Sequence, residues 1–309
     1  PYILQYRMGI KKDGRIIFVK VRMVADSGAY CSVTPWVTWR STVQCCGCYE
    51  VPNVHCDVYG VYTNNVFTGA FRGFGSPQVN WAVEQLVEIA AEKLGMSELE
   101  FRRINMVKQG STTVTNQVLD THKVSLSEVM DRVLKEIDYE NKRKLCSFGD
   151  PKKDTWYGIG LAISYRGMSL GAEGVDFNSA IINVQPDGSV LLETGVHENG
   201  QGAESVMILI AAEELGLPVN RIRYRMPSTS NIPDGGTTVA SRGTLLGGGA
   251  TTNAAKILKN IIAEALLKHL GKKAEFFEDS NILDAERQVI CAWYEAIRLC
   301  YSKQIYPYA

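Results

Sequence analysis

Two Asp-Gly pairs, each set between runs of apolar and β-branched residues, restrict this sequence to folds that contain β-hairpins. Asp13-Gly14 separates YILQYRMGI from RIIFVKVRMVADSGAY, and Asp187-Gly188 separates FNSAIINVQ from VLLETGVH. Asp-Gly is a strong hairpin signal because tight hairpin turns need backbone conformations that these two residues tolerate. Because one such hairpin occurs in each half of the chain, we expect two similar halves, although the internal repeat is weak.

Stretches of helical periodicity and further strand-like runs lie around the hairpins. Apolar residues recur at helical spacing after Ser76, and Ser97 with Glu100 forms a capping-box pattern before the next helix. Other helices are predicted over 125–137, over 202–215, up to about residue 269 and over 286–302, and other strands over 55–63, 157–165 and 220–226. The tail KQIYPYA is expected to hold no strand. Hairpins interleaved with helices, without regular βαβ alternation, indicate an α+β fold of two similar mixed-sheet and helix halves.

The periodic pattern lapses between the two halves. The stretch KQGSTTVTNQVLDTHK is polar and aperiodic, which is typical of a linker. We therefore divide the chain into a first part over residues 1–110, a linker with a short helix over 111–153, and a second part over 154–309.

Composition excludes several classes of protein. The 309 residues carry 33 basic and 33 acidic side chains, a balance that argues against a nucleic-acid binder. No apolar run is long enough for a membrane span, and no signal peptide is visible, so a cytoplasmic protein is expected. The chain starts at Pro1 rather than at a methionine, which indicates a fragment or a processed chain.

A group of cysteines in QCCGCYEVPNVHC leaves two interpretations open. Cys45 and Cys48 form one CxxC pair, and His55 and Cys56 follow closely. A zinc site usually has a second such pair at a distance, and none occurs here. We therefore favour structural thiols over a metal or iron–sulfur site.

Three glycine-rich loops each precede a predicted helix. FRGFG leads to Ser76-Pro77, a favourable helix start, while HENGQG (197–202) and DGGTTVASRG (234–243) lead to two further helices. Unpaired backbone N–H groups and the helix dipole make such positions suitable for anions. We therefore predict one extended phosphorylated ligand held by the loops, with side-chain donors from Arg72, Gln201, Ser241 and Arg242.

Each loop taken alone also fits an ordinary strand-to-helix turn. None contains the full GxGxxG pattern, and no GxxxxGK[ST] sequence occurs, so the usual dinucleotide and P-loop sites are not expected. From the residues alone, the ligand is a large phosphorylated molecule of another kind.

The loop sequences resemble one known family. AFRGFGSPQ is similar to the AFRGFGGPQ loop of the molybdenum hydroxylases, the xanthine dehydrogenase and oxidase family. QPDGSVLLETGVHENGQG resembles the family's hairpin before its Gly-Gln-Gly loop, and IPDGGTTVASRGT stands where the family has a third cofactor loop. The resemblance extends from about Pro1 to Tyr301 and implies a molybdenum–molybdopterin cofactor, in bacterial members often extended as a cytosine dinucleotide.

The resemblance also implies roles for individual residues. Phe74 is matched to an aromatic that packs on a heteroaromatic substrate ring, which leaves Phe71 as a core anchor. Tyr165 and Arg166, in the segment SYRGMSLGAEG, are predicted substrate contacts, although Tyr165 also fits a structural role at a strand end. The predicted cofactor contacts are Arg72, Gly73, Gly200, Gln201, Gly202, Thr238, Ala240, Ser241 and Gly243.

The family's general base is a glutamate in a later glycine-rich segment, which this sequence does not match. Glu173 in GAEG has a similar context but a different place. The base is therefore expected outside this chain, as are the [2Fe-2S] and FAD groups, because the cysteine spacing fits no plant-type cluster. The implied partners are iron–sulfur and FAD subunits or segments and a further molybdopterin-domain chain.

The leading hypothesis is the molybdopterin-binding portion of a hydroxylase that oxidises a heteroaromatic substrate, such as the purines xanthine and hypoxanthine, with oxygen taken from water. A nicotinate- or aldehyde-type hydroxylase is the first alternative. A non-catalytic cofactor-binding or assembly subunit is the second, and an enzyme that binds a phosphorylated ligand without molybdenum is the third.

Overall fold

The computed structural model describes residues 1–146, 154–171, 174–232 and 234–309. Contacts between Cα atoms divide the chain into two compact units, Pro1–Arg166 and Gly167–Ala309. The boundary between the two units, at residues 166 and 167, does not coincide with the predicted linker, whose described residues belong to the first unit. The division into parts 1–110, 111–153 and 154–309 stays a prediction. None of the helices in the described residues is both long and apolar enough to cross a membrane.

The first unit is built on a three-stranded mixed sheet. Strands β1 (Tyr2–Ile10) and β2 (Ile16–Gly28) form the predicted antiparallel hairpin. Strand β3 (Val54–Tyr62) lies parallel to β2 on its other side. Alternate side chains of β2 point into the core, because successive residues of a strand face opposite sides of the sheet.

Five helices complete the described part of the first unit. The long helix α2 (Ser76–Leu94) packs its apolar side chains into the core of the unit and ends at Gly95, whose left-handed backbone is common at the ends of helices. Ser97 caps the following helix by accepting the Glu100 N–H at 3.1 Å. The other helices are α1 (Thr34–Val43), α3 (Glu98–Asn105), α4 (Leu126–Glu136) and α5 (Tyr139–Leu145). The sequence analysis missed α1 and α5.

The second unit repeats the topology of the first. Strands β4 (Ala180–Val184) and β5 (Val190–Thr194) form the second predicted hairpin, and β6 (Ile222–Arg225) lies parallel to β5. Helix α6 (Ala203–Leu215) connects β5 to β6, as α1 connects β2 to β3. The predicted α+β fold of two similar halves with mixed sheets is therefore confirmed.

The last elements of the second unit differ in part from the prediction. Helix α7 (Gly248–Leu270) follows a π-helical turn, and a small antiparallel sheet of β7 (Phe276–Glu278), β8 (Asn281–Leu283) and β9 (Val289–Ala292) comes next. The predicted helix over 286–302 was wrong in its first residues, since α8 (Trp293–Ser302) begins only after β9. Val289 and its neighbours pair with β8 instead, a partner that is invisible to helical periodicity.

One further strand prediction was wrong. Residues 157–165 form no strand, and the backbone N–H of Ile163 donates to the Glu84 carboxylate at 2.9 Å rather than to a neighbouring strand. The tail forms no strand of its own, as expected, but Ala309 exchanges two backbone hydrogen bonds with Ile182 of β4, at 2.7 and 2.9 Å. Both segments take partners distant in sequence.

Candidate functional site

Loop 1 (residues 69–75) owes its shape to three successive left-handed residues. Gly73, Phe74 and Gly75 have φ angles of 100°, 52° and 94°. A left-handed phenylalanine is uncommon, since its Cβ crowds the backbone, and such strain is concentrated at functional sites. The Phe74 N–H donates to the Phe71 carbonyl at 2.8 Å, and the Ser76 N–H donates to the Gly73 carbonyl at 3.1 Å, which closes the loop before helix α2.

Helix α1 packs against loop 1 at Gly75. The Ser41 hydroxyl lies 3.1 Å from the Gly75 carbonyl and 3.0 Å from the Val37 carbonyl, so it can donate to either. A Cβ on Gly75 would lie 2.3 Å from the Val37 carbonyl oxygen, closer than any real contact. Only glycine therefore allows the loop to approach the helix this closely.

Ser76 does not cap helix α2, contrary to the expectation from its position before Pro77. Gly75 is the N-cap residue, and no side chain caps the helix. The Ser76 hydroxyl is buried, donates to Gln44 Oε1 in a short hydrogen bond, and accepts one from Arg166 Nη1 at 3.1 Å. Its partners come from the end of α1 and from the segment before the second unit, which sequence reasoning did not foresee.

The segment with the predicted substrate contacts lies along helix α2. The Glu84 carboxylate, which accepts the Ile163 N–H, is buried with Arg102. Arg102 donates to Glu84 Oε2 from Nε and Nη2 at 3.1 and 3.0 Å, and the Tyr49 hydroxyl donates to Glu84 Oε1 at 2.6 Å. A buried charge is stable only when it is paired and hydrogen-bonded, and Glu84 meets both conditions.

The predicted ligand-facing side chains of the first unit differ in exposure. Arg72 is exposed and makes no hydrogen bond or ion pair with any described residue, whereas Phe74 is half-buried. Phe71, expected as a core anchor, is 79% exposed, so that expectation was wrong. Tyr165 is 36% exposed, and burial, with smaller effects from the nearby cysteine thiols, raises the pKa of its hydroxyl to about 12. Tyr165 therefore stays protonated at neutral pH.

In the second unit, loop 2 (residues 197–202) contains an anionic side chain, the carboxylate of Glu198. The Glu198 carboxylate accepts the backbone N–H groups of Gly200, Gly202 and Glu204 at 2.7, 3.1 and 3.1 Å. These bonds, led by those from Glu204 and Gly202, hold the pKa of Glu198 below its usual value. The predicted anion-binding amides at the start of α6 therefore donate to Glu198 in this structure, which corrects the expected role of the Gly200 and Gly202 N–H groups.

Gln201 is exposed on the same loop. Its Nε2 donates to the His197 carbonyl at 2.8 Å, and its Oε1 accepts the Asn199 N–H at 2.5 Å. These bonds hold the side-chain amide over the loop, and the second N–H of Nε2 is left to donate elsewhere.

Loop 3 (residues 234–243) has a second pair of left-handed residues without glycine. Ala240 and Ser241 have φ angles of 53° and 55°, and the Ala240 carbonyl accepts the Ser169 N–H at 2.7 Å. The exposed Ser241 hydroxyl has no hydrogen-bond partner among the described residues. Two consecutive left-handed residues at an exposed hydroxyl are typical of a backbone shaped for a ligand.

Loops 2 and 3 pack directly against each other. Thr238 Oγ1 accepts the His197 N–H at 2.8 Å, and a Cβ on Gly195 would lie 2.4 Å from the Gly235 Cα atom. A Cβ on Gly243 would lie 3.5 Å from the Val196 side chain. Of the predicted residues, Thr238 and Gly243 of loop 3 thus lie against residues 196–197, where loop 2 begins.

Arg242 was predicted to donate to the ligand, and this was wrong. Its side chain is 1% exposed, and it donates to the Thr237 carbonyl at 2.9 Å and, in a short bond, to the Phe177 carbonyl. Its Nε lies 3.1 Å from Asp176 Oδ1, an ion pair without hydrogen-bond geometry. Arg242 therefore ties loop 3 to the segment before β4.

Three of the grouped cysteines lie in the hydrophobic core of the first unit. Cys45 and Cys48 are buried and reduced, and burial, followed by the Glu84 charge, raises the pKa of Cys48 to about 12. No group of three or more histidine, cysteine or carboxylate side chains in the described residues is placed to hold a metal ion. Glu173 lies outside the described residues.

The residues that sequence reasoning missed are those that shape the loops. They are Gln44 and Glu84 in the first unit and Glu198 in the second. Only Glu198 had a local signal, since an acidic residue just before a glycine-rich helix start is well placed to accept the unpaired N–H groups.

Each unit carries donors that suit a phosphorylated pterin cofactor. Arg72 is an exposed cation without a partner, and the Ser241 hydroxyl is an exposed donor without one. Around Gly200 and Gly202, a Cβ would meet no atom within 4 Å, so a ligand can approach the backbone there. Charged and neutral donors of this kind suit the phosphate and the polar rings of such a cofactor.

Comparison with known families agrees with this donor set. A family model described as a molybdopterin cofactor-binding domain matches residues 1–106, and a second model of the same description matches residues 132–306.

Curated relatives extend the comparison. A xanthine dehydrogenase of Drosophila pseudoobscura pseudoobscura is 31% identical over 266 residues, which cover 85% of this chain and 20% of that protein. A nicotinate hydroxylase of Emericella nidulans is 31% identical over 257 residues, 82% of this chain and 19% of that protein. The chain thus spans about a fifth of the length of these relatives.

Solved structures share the fold. Quinoline 2-oxidoreductase from Pseudomonas putida 86 superimposes on the whole chain and on 42% of its own, with a TM-score of 0.83 at 23% identity. The aldehyde oxidoreductase of Desulfovibrio gigas superimposes on 82% of this chain and on 28% of its own, with a TM-score of 0.71 at 28% identity.

Proposed function

The chain belongs to the molybdopterin cofactor-binding domains of the molybdenum hydroxylase family, and on this premise we propose that it forms part of an enzyme that oxidises a heteroaromatic substrate. The substrate class is a purine such as xanthine or hypoxanthine, with water as the source of oxygen. The observation that carries the proposal is loop 1, where an exposed, unpartnered Arg72 stands beside the left-handed Phe74.

In the first unit, we assign cofactor binding to Arg72 and Gly73. The Arg72 guanidinium offers several N–H donors in a fixed plane, which suits phosphate or the polar edge of a pterin. Gly73 has a φ angle of 100°, and a Cβ there would lie 2.4 Å from the Pro77 ring, so glycine is required to present Arg72 on this backbone.

In the second unit, the side chain of Gln201 and loop 3 are assigned to the cofactor. Gln201 offers one amide N–H, and Ser241 offers its hydroxyl. Gly200 and Gly202 give access to the backbone of loop 2, while the N–H groups of both donate to Glu198. The other assigned residues of loop 3 are Thr238, Ala240 and Gly243. When bound, the cofactor supplies a redox-active metal for the oxidation.

Substrate binding is assigned to Phe74, Tyr165 and Arg166 of the first unit. The half-buried Phe74 offers a ring on which a flat heteroaromatic substrate can pack. The protonated Tyr165 offers a hydroxyl donor, and Arg166 is held next to the start of α2. These groups bind and orient a planar ring.

The remaining groups of the enzyme are assigned to other subunits or to other segments of a longer polypeptide. A general-base glutamate, [2Fe-2S] centres and FAD are proposed on partner subunits or segments, together with a further molybdopterin-domain chain, in a cytoplasmic hetero-oligomer. The chain spans about a fifth of its curated relatives, which supports the need for such parts.

Two substitutions in the complete enzyme test the assignment of loop 1. Arg72→Gln removes the unpartnered cation and is expected to lower the bound molybdenum and pterin severalfold. Phe74→Ala is expected to reduce turnover of aromatic substrates by roughly tenfold or more, since stacked aromatic pairs contribute about 0.5–1.5 kcal/mol beyond the area they bury. Molybdenum content in Phe74→Ala should stay unchanged.

Metal analysis, pterin fluorescence after acid oxidation and a turnover screen measure these effects. Arg7→Gln on strand β1 is a matched control, because Arg7 is likewise exposed and its side chain makes no hydrogen bond or ion pair with a described residue. Wild-type protein that contains neither molybdenum nor pterin would contradict the proposed function. Loss of molybdenum in Phe74→Ala would make that residue structural.

One alternative substrate class has direct support. The nicotinate hydroxylase of Emericella nidulans is as similar to this chain as the xanthine dehydrogenase, at 31% identity. The turnover screen therefore includes nicotinate and aldehydes beside the purines, and the preferred substrate decides between them.

A further inference from the structure

A short segment, residues 163–166, lies along one face of helix α2 and is held there by hydrogen bonds to side chains of the helix. Glu84 accepts the Ile163 N–H at 2.9 Å, and the Asn80 side chain donates to the Ser164 hydroxyl at 2.5 Å. Ser76 accepts from Arg166 at 3.1 Å. Residues spaced by four lie above one another on a helix, so these three positions form a single stripe.

A ring of hydrogen bonds closes at the loop 1 end of this stripe. Arg166 Nη1 donates to the Ser76 hydroxyl, and that hydroxyl donates to Gln44 Oε1. Gln44 Nε2 in turn donates to the Tyr165 carbonyl at 3.1 Å, which leads back through the chain to Arg166. Each polar atom in the ring has a defined donor or acceptor role.

The two central members of the ring are shielded from water. Ser76 is 4% exposed and Gln44 is 2% exposed. Hydrogen bonds in such surroundings are strong, and a fully satisfied buried network selects one arrangement of its members. The family loop quoted above has glycine where this chain has Ser76, so the hydroxyl at the centre of the ring is a departure from that loop.

We propose that Ser76 is a positioning residue, which fixes the Arg166 guanidinium and the Tyr165 backbone beside loop 1 and thereby sets substrate affinity. This inference rests on the proposed function, because it takes Arg166 and Tyr165 as substrate contacts. Ser76 acts through Arg166 and does not itself touch the substrate.

A double-mutant cycle in the complete enzyme tests this role. The variants are Ser76→Ala, Arg166→Gln and both together, and the measurements are KM and kcat for the preferred aromatic substrate. Ser76→Ala is expected to raise KM by about tenfold, since a hydrogen bond from a charged donor is stronger than one between neutral groups. Molybdenum content should not change. In the Arg166→Gln background, Ser76→Ala should have a much smaller further effect, because the bond between these two side chains is already absent and only the bond to Gln44 remains to be lost.

Amide hydrogen exchange supplies a readout that does not depend on turnover. Exchange at residues 163–166 is expected to accelerate in Ser76→Ala and in Gln44→Leu, which breaks the ring from its other side. Ser125→Ala is the matched control, because Ser125 stands just before helix α4 and makes no capping bond. This control should change neither KM nor the exchange of residues 163–166.

Two results would overturn the inference while the proposed function stands. The first is a molybdenum-loaded Ser76→Ala enzyme with an unchanged KM. The second is a fully additive effect of the two substitutions, which would place the role of Ser76 elsewhere. Absence of molybdenum and pterin from the wild-type enzyme would instead contradict the proposed function itself.

Discussion

Gly75 shows why loop 1 needs a glycine where it packs against helix α1. The residue has a φ angle of 94°, and the Val37 carbonyl occupies the place that a side chain would need. Gly95 at the other end of helix α2 also has a left-handed backbone, at 66°, but a Cβ there would meet no atom within 4 Å. The first glycine is required by conformation and by space, and the second by conformation alone.

These two glycines predict different costs of the same substitution. Gly75→Ala is expected to lower the free energy of unfolding by roughly 2–4 kcal/mol, because backbone strain and overpacking each cost about 1–3 kcal/mol. Gly95→Ala, the control, should cost only about 1–2 kcal/mol, the usual penalty for a left-handed alanine. Urea denaturation measures both changes. Equal losses in the two variants would show that the contact with Val37 is relieved by a small shift of the backbone.

Single-residue predictions from sequence succeeded only where the chemistry is local. An exposed arginine in a glycine-rich loop could be expected, and Arg72 is exposed without a partner among the described residues. Ser76 and Arg242 were misassigned because their partners, Gln44 and Phe177 among them, lie far away in sequence. A local pattern cannot reveal such long-range hydrogen bonds.

Helix α6 is an element whose first turn is stabilised by its own loop. Glu198 accepts three backbone N–H groups there, and its pKa is lowered as a result. A carboxyl group with a lowered pKa stabilises the folded state above its ordinary pKa. This contribution is lost as the pH falls through the lowered value.

Glu198→Gln is therefore expected to remove a pH dependence from the start of α6. In the wild-type protein, exchange protection of the Gly202 and Glu204 amides should be high at neutral pH and should fall in acid. In the variant it should be lower at neutral pH and nearly constant. Glu213→Gln, on an exposed part of the same helix, is the control and should behave like wild type. Protection in Glu198→Gln that still falls with pH would assign the effect to another group.

The strands and helices that could be predicted from sequence are those whose signals lie within the element itself or in an adjacent turn. Both hairpins and the long helices α2, α6 and α7 follow from turn residues and apolar spacing. The small sheet of β7, β8 and β9 was missed because strands of three or four residues leave no measurable alternation. Helix α1 was missed although Pro35 lies in its first turn, a recognised start signal.

At the scale of the whole molecule, each unit has a hydrophobic core of its own. The core of the first unit includes Val21 and Met23 of strand β2, and that of the second includes Ile182 and Leu192. None of the described core residues of one cluster appears in the other. Two separate cores of this kind favour two separable unfolding events.

A core substitution in one unit is therefore expected to spare the other. Leu192→Ala should destabilise the second unit by about 2–5 kcal/mol, the usual cost of a buried leucine. Exchange protection of strands β1 and β2 should remain as in wild type. Met23→Ala provides the reciprocal control, with loss confined to the first unit. Hydrogen exchange with mass spectrometry resolves the two regions, and a parallel loss of protection in both would show a single cooperative structure.

The pairing of residues 307–309 with strand β4 affects how this protein meets other chains. A strand at the edge of a sheet can add a strand from another molecule, which is a common route to aggregation. Because Ile182 and Val184 exchange or donate their backbone hydrogen bonds to this tail, that edge of β4 is not open to a second copy. Residues 307–309 thus cover the edge of β4 that would otherwise be open to a strand from another molecule.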